Sequence, residues 1–263
     1  VKACLIVARI VVALLLLSVG LSLANDPRPA LSGVEGGWRV AARHSAGIAP
    51  DPVRFADTAI VQVYAAATYG WRGYFAVHPW IIYKRAGETA YTRYDVIGWG
   101  SGNVVRRNYA LPDGLWFGAV PRVLVEHRGE GVDAMIERIE SAVASYPHAG
   151  EYRSYPGPNS NTFLAHIGRE VPALRLDLPA NAIGKDYRPI TRPLGVSPSG
   201  AGLQFSLLGL LGLSVGMREG IELNVLGLNF GLDLDRPGLR LPGIGRLGLD
   251  DAAVADRSAA GAR

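Results

Sequence analysis

The chain has 263 residues, of which 49% are hydrophobic, 19% charged and 8% aromatic. That composition excludes a disordered chain, a collagen-like fibre and a disulfide-stapled miniprotein, and it suits one main globular domain with extensions. Lys and Arg number 27 against 23 acids, and setting aside Lys2 and Arg9 leaves 25 against 23, which is no nucleic-acid footprint. Cys4 is the single cysteine, so neither an intrachain disulfide nor a thiolate enzyme in the folded part is expected.

Residues 1–24 carry Lys2 and Arg9 and an unbroken apolar run from Ile10 to Leu17, which predicts an export signal or a membrane anchor. Ser22 and Ala24 have the small-residue spacing a signal peptidase reads, whereas Ala3 to Leu23 is also long enough to cross a bilayer. Both alternatives stay open, and either one puts the rest of the chain outside the cytoplasm, at the inner membrane or in the periplasm. Residues 25–52, with Pro27, Pro29, Pro50 and Pro52, predict an irregular lead-in.

The main domain is expected over 53–198. Thr58 to Ala66, Gly73 to Lys84, Tyr91 to Trp99 and Arg122 to Glu126 are rich in Val, Ile, Tyr and Trp and predict an antiparallel meander. From Val132 the period changes: Val132, Ile136, Ile139, Val143 and Tyr146 recur at helical spacing until Pro147. A second helix is predicted from about Asn161 to Val171, between Pro156-Gly157-Pro158 and Pro172. Strands followed by two main helices give an α+β class with an antiparallel sheet. Residues 199–249 are Gly/Leu-rich, and the similar pieces Ser206 to Leu210 and Asn224 to Leu228 predict a β-hairpin extension turning at Met217 to Gly220. Its alternative, a membrane re-entrant segment, has only the 15 residues Leu203 to Met217. Residues 250–263 predict an unstructured tail.

No HExxH, CxxC pair, Walker loop or GxSxG elbow is present, so no metal and no cofactor is expected. The informative stretch is Asn159-Ser160-Asn161-Thr162-Phe163, small polar residues opening a helix after a rigid turn. Free N–H groups and the positive dipole end favour a nucleophile there, and Ser160 is the candidate. The competing reading is that one of these residues caps the helix. A serine needs a base, and His78 interrupts the apolar run Phe75 to Ile82, where a polar ring must find a partner. It is either a structural histidine or a base that Asp95, on the next strand, orients; Asp95 is otherwise a surface carboxylate near Arg93. Asn159, Asn161 and Trp80, which flank these groups, are the expected substrate contacts.

A histidine-bearing strand, further strands, and then Asn-Cys-Asn-x-Phe opening a helix is the layout of circularly permuted papain-like proteins. These include PPPDE peptidases, lecithin-retinol acyltransferase relatives and NlpC-type cell-wall hydrolases. Residues 159–163 resemble that motif with serine at the cysteine position, over roughly His78 to Val171. The exported chain as a whole resembles a bacterial family known as domain of unknown function 3750. That resemblance rests on Arg43 to Pro50, Tyr155 to Phe163 and Leu241 to Arg246. The papain-like resemblance implies acyl transfer or amide hydrolysis, with His78 as base, Ser160 as nucleophile and helix N–H groups as the oxyanion site. A thiol ionises near about pH 8.5 and a hydroxyl does not, so Ser160 depends wholly on that base. Two functions follow as expectations: a hydrolase acting on an envelope amide or ester (peptidoglycan peptide or lipid), or a non-catalytic envelope module that binds in a degenerate cleft.

Overall fold

The computed structural model describes residues 37–100, 102–234, 237–243 and 245–248, and the single positions 9, 12, 13, 16 and 20. The rest of the predicted leader, the lead-in up to residue 36 and the predicted tail lie outside the described residues. Among those described, no helix is long and apolar enough to cross a membrane.

Five strands build the first sheet: β1 (Ile60–Ala67), β2 (Val77–Lys84), β3 (Thr92–Val96), β4 (Val105–Arg107) and β5 (Arg122–Arg128). Their spatial order is β4-β3-β2-β1-β5, all antiparallel, so β1 to β3 form the expected meander. β4, which the sequence did not announce, continues it, and the strand at Arg122, expected as its fourth member, instead returns to pair with β1. The continuous apolar runs of β1 and β2 arise because both faces are covered. Helices α1 (Val132–Ala144) and α2 (Ser160–Glu170) cover one face, where Ile136, Ile139, Phe163 and Ile167 meet Val61, Val63 and Ile81. An aromatic layer from the connecting loops covers the other, where Trp116 and Phe117 meet Tyr64, Trp80 and Ile82. The class is therefore α+β.

The lead-in from residue 41 closes over this aromatic layer. Asp113 holds it there: its carboxylate accepts from Ser45 Oγ at 2.7 Å and from the Ile48 and Ala49 amides at 2.8 and 3.1 Å. Those bonds offset its burial and keep its carboxyl below the usual range.

The C-terminal part is larger than the predicted hairpin. Seven strands follow in sequential order, β6 (Leu194–Val196), β7 (Gly202–Leu207), β8 (Leu211–Gly216), β9 (Gly220–Val225), β10 (Leu228–Asp233), β11 (Gly238–Leu241) and β12 (Gly245–Gly248). Met217 to Glu219 do form a turn, between β8 and β9. The two look-alike pieces, however, are not partners. Each ends a strand in a tight turn, Leu208-Gly209 and Leu226-Gly227, with all four residues at positive φ, and the strand β8 separates them. The extension also starts at Leu194, ahead of the expected residue 199, because β6 is a three-residue strand between Pro193 and Pro198 that pattern alone does not reveal.

This sheet is polar inward. Gln204, Ser206, Ser214, Glu222, Asn224 and Asn229 are buried against the segment that follows α2. Asp186 accepts from the amides of Gln204, Asn224 and Asn229 at 2.6, 3.0 and 2.7 Å, and Lys185 Nζ lies 2.5 Å from Glu222. Burial would lower the Lys185 proton affinity, but the charges of Asp186 and Glu222 raise it above the usual lysine range. Every outward position of β7 to β10 is Leu, Ile, Val or Phe.

Candidate active site

β3 pairs with β2 only from Ile81 to Tyr83, so the two strands diverge before Trp80. The first turn of α2 fills the opening. Asn161 Nδ2 donates to the Val77 carbonyl at 3.1 Å and to the Ile183 carbonyl at 2.9 Å. A cavity of about 730 Å³ opens at this end of the sheet, with both Ser160 and His78 on its wall. The remaining wall is rich in aromatic side chains, including Trp38, Tyr69, Trp71, Trp99, Trp116 and Tyr152.

The helix start resolves what Ser160 does locally. Asn159 is the N-cap: its side chain accepts from the amides of Asn161 and Thr162, and the Thr162 hydroxyl closes a capping box on the Asn159 N–H. Its Nδ2 is spent on the carbonyls of Ser154 and Ile183. Ser160 is thereby relieved of capping. Among the described residues neither its Oγ nor its N–H has a hydrogen-bond partner, although the residue is only 4% exposed. A hydroxyl and an N–H left unbonded on a cavity wall at a helix N-terminus are the groups an attacked carbonyl requires.

His78 alternates to the aromatic face of the sheet, where its ring stacks on Trp116 with centroids 3.7 Å apart and planes at 8°. Its Nε2 lies 3.1 Å from Asp95 Oδ1. Asp95 is fully buried, and Arg93 clamps it through Nε at 2.7 Å and Nη2 at 2.8 Å. Arg93 in turn donates to the Leu111 carbonyl and lies 4.1 Å over the Trp80 ring. Asp95 is thus no surface carboxylate. Burial alone would raise its pKa, but the bonds from His78 and Arg93 and the guanidinium charge hold it below the usual range. For His78 burial dominates and lowers its pKa despite the Asp95 bond, so the ring is neutral near pH 7. An ionised carboxylate only accepts, so Nε2 carries the ring proton and Nδ1 keeps the lone pair. Nδ1 makes no hydrogen bond among the described residues, and none joins His78 to Ser160.

The expected substrate contacts fare differently. Trp80 is fully buried and does not line the cavity, because it lies one pleat deeper than His78, stacked on Tyr64 and donating to the Pro112 carbonyl. Its place is under Arg93, not against a ligand. Asn159 and Asn161 do line the cavity, but their amide groups hold the helix start, and only Asn161 Oδ1 is left without a partner. Sequence reasoning missed Trp116, which comes from a loop without periodicity, and the clamp role of Arg93. The latter was signalled by its position two residues before Asp95 on one strand face. The other histidines that make side-chain bonds serve the scaffold: His127 meets the Leu174 carbonyl, His166 the Ala142 carbonyl and His148 the Glu151 carboxylate. Among the described residues no three His, Cys, Asp or Glu side chains gather to hold a metal ion.

Fold and site together define an α+β protein with a serine, a carboxylate-bound histidine and an aromatic-walled cavity at a helix N-terminus. Residues 58–187 match a family described as Protein of unknown function (DUF3750), which supports the family resemblance of the sequence. The match spans the first sheet, both helices and the segment up to Tyr187, and so includes His78, Asp95 and Ser160. No curated protein and no solved structure matches the chain.

Proposed function

We propose that the protein is a serine acyl hydrolase or acyltransferase with a permuted papain-like core. In this reading Ser160 Oγ attacks an ester or amide carbonyl while His78 Nδ1 takes its proton, directly or through one water. The oxyanion is met by the free N–H of Ser160. His78 then returns the proton to the leaving alcohol or amine, and water or a second acceptor releases the acyl group from Ser160. Asp95, pinned by Arg93, fixes the tautomer and orientation of the ring. The observation that carries the proposal is the shared cavity wall of an uncapped, unbonded Ser160 and a buried His78 whose far nitrogen is tied to Asp95. The aromatic wall favours an apolar acyl group over a polar peptide. The leader read from the sequence supports an exported protein acting in the cell envelope.

The test is labelling with a fluorophosphonate probe. Labelling of the wild-type chain that disappears in Ser160→Ala and drops at least about a hundredfold in His78→Ala supports the proposal. Equal labelling in Ser160→Ala contradicts it. A second reading, a binding module, draws on the missing Ser160–His78 hydrogen bond and on serine at the cysteine position; it requires no labelling and ligand retention unchanged in Ser160→Ala.

A further inference from the structure

The second sheet is inside-out relative to a sheet that packs on a core. Its polar side chains face the protein, and its aliphatic ones face outward in cross-strand rows. One row runs from Val196 through Leu203, Val215, Ile221 and Leu232 to Leu239, each opposite the next in register. These residues are between 42% and 73% exposed. Four strands about 20 Å long and three shorter ones of about 10–13 Å, spaced about 4.8 Å apart, present up to roughly 600 Å² of continuous apolar surface. That is at the upper end of what a monomer leaves in water.

Two copies meeting face to face would bury about 1,200 Å², enough for an interface, so area alone does not choose the occupant. Three other observations do. Protein interfaces carry roughly one hydrogen bond per 100–200 Å² and a polar rim, and the outward positions of β7 to β10 offer no polar side chain at all. The turns at one end of the sheet carry Leu208 and Leu226 at φ +55° and +52°, where Asn, Asp or Gly is the comfortable choice. Leucine there contradicts turn chemistry unless the tips also leave water, which a flat dimer does not require. Those tips adjoin the cavity mouth. The Tyr155 hydroxyl donates to the Leu226 carbonyl at 3.2 Å, Tyr155 lines the cavity, and Trp38, Trp71 and Trp99 on the same wall are about half exposed or more. Exposed Trp and Tyr at the margin of an aliphatic surface are the residues that settle at the headgroup level of a bilayer. The apolar leader read from the sequence, Ala3 to Leu23, is an export signal or an anchor, and either reading takes this chain to a membrane or across one.

We infer that the outward face of the second sheet is a docking surface for a phospholipid bilayer, with the leucine turn tips dipping into it and the cavity mouth at the headgroup level. Strands of six residues are too short to span, so the sheet lies on the membrane. Docking stands apart from the chemistry at Ser160.

The full chain, with Cys4→Ser, is reconstituted in vesicles of phosphatidylethanolamine and phosphatidylglycerol at 3:1. A spin label is attached in turn at Leu213→Cys and Leu223→Cys on the outward face and at Glu137→Cys on the solvent side of α1. The expected result is collision of both sheet labels with oxygen and not with a water-soluble nickel chelate, and the reverse at position 137. Near-ultraviolet circular dichroism confirms that each variant is folded, and two independent face positions guard against a local defect. Chelate-accessible sheet labels overturn the inference. So do sheet labels coupled within about 20 Å of their copies in a second chain and shielded from lipid, which identify a dimer. Fluorophosphonate labelling of the same samples reports separately on Ser160.

Discussion

Asp95→Asn tests the electrostatic frame of the site in isolation from its chemistry. The carboxylate accepts three hydrogen bonds, one from His78 and two from Arg93, at 0% exposure. A carboxamide keeps the shape but turns an N–H donor toward either the guanidinium or the imidazole, and it leaves the Arg93 charge buried without a counter-charge. Removing one member of such a pair costs about 3–5 kcal/mol. At about 2–4 °C per kcal/mol for a domain of this size, the melting temperature falls by about 6–20 °C at pH 7. Glu151→Gln provides the contrast, since its pair with His148 is 44% exposed on the carboxylate side and its loss costs no more than about 1 kcal/mol. Thermal unfolding followed by circular dichroism measures both. A loss in Asp95→Asn as small as that in Glu151→Gln would refute the buried clamp and, with it, the fixed orientation of His78.

The lowered pKa of His78 sets a pH dependence. The unfolded ring takes up a proton near pH 6.5 and the folded one only below that, so the stability it contributes is present above about pH 6.5 and is lost as pH falls through the folded value. Fluorophosphonate labelling follows the same group, with a half-maximal rate below pH 6.5 and a plateau above; a midpoint above pH 7 would contradict the assignment. Gly184→Ala forces a side chain onto φ +99°, with its Cβ 2.5 Å from the Asn159 amide, and is expected to cost about 1–3 kcal/mol by displacing the cap. Gly245→Ala, at φ +92° with no atom within 4 Å, isolates the backbone cost alone, and chemical denaturation separates the two. Gly98→Ala puts a Cβ 2.2 Å from the Tyr152 ring and pushes that ring into the cavity. Labelling then slows by about tenfold or more with the fold retained, a loss of ~1.4 kcal/mol at the transition state.

The first sheet and both helices were legible because their signals are strong: runs buried on two faces, and a 3.6-residue stripe ended by proline. Val105-Arg106-Arg107 escaped because three residues, two of them arginine, carry no period. The C-terminal sheet alternates plainly, as in Leu203-Gln204-Phe205-Ser206-Leu207, but alternation does not say which face is inside. Here Asp186 and Lys185 satisfy the polar face from within, an arrangement set by a segment with no regular structure of its own. Ser160, His78 and Asp95 could be singled out from residue type and order. Trp80 was misjudged because two positions along a strand share a face without sharing its depth. The choice of Asn159 as the cap, which leaves Ser160 free, depended on the loop carbonyls of Ser154 and Ile183 and could not be read from five adjacent polar residues.

The central claim, that Ser160 becomes acylated, is tested most directly by trapping the acyl-enzyme. The chain is mixed with p-nitrophenyl octanoate, quenched in acid, digested and analysed by mass spectrometry. The account predicts an octanoyl group on Ser160, absent from His78→Ala at the same quench time. Octanoylation elsewhere, or p-nitrophenol release at an equal rate from Ser160→Ala, would contradict it.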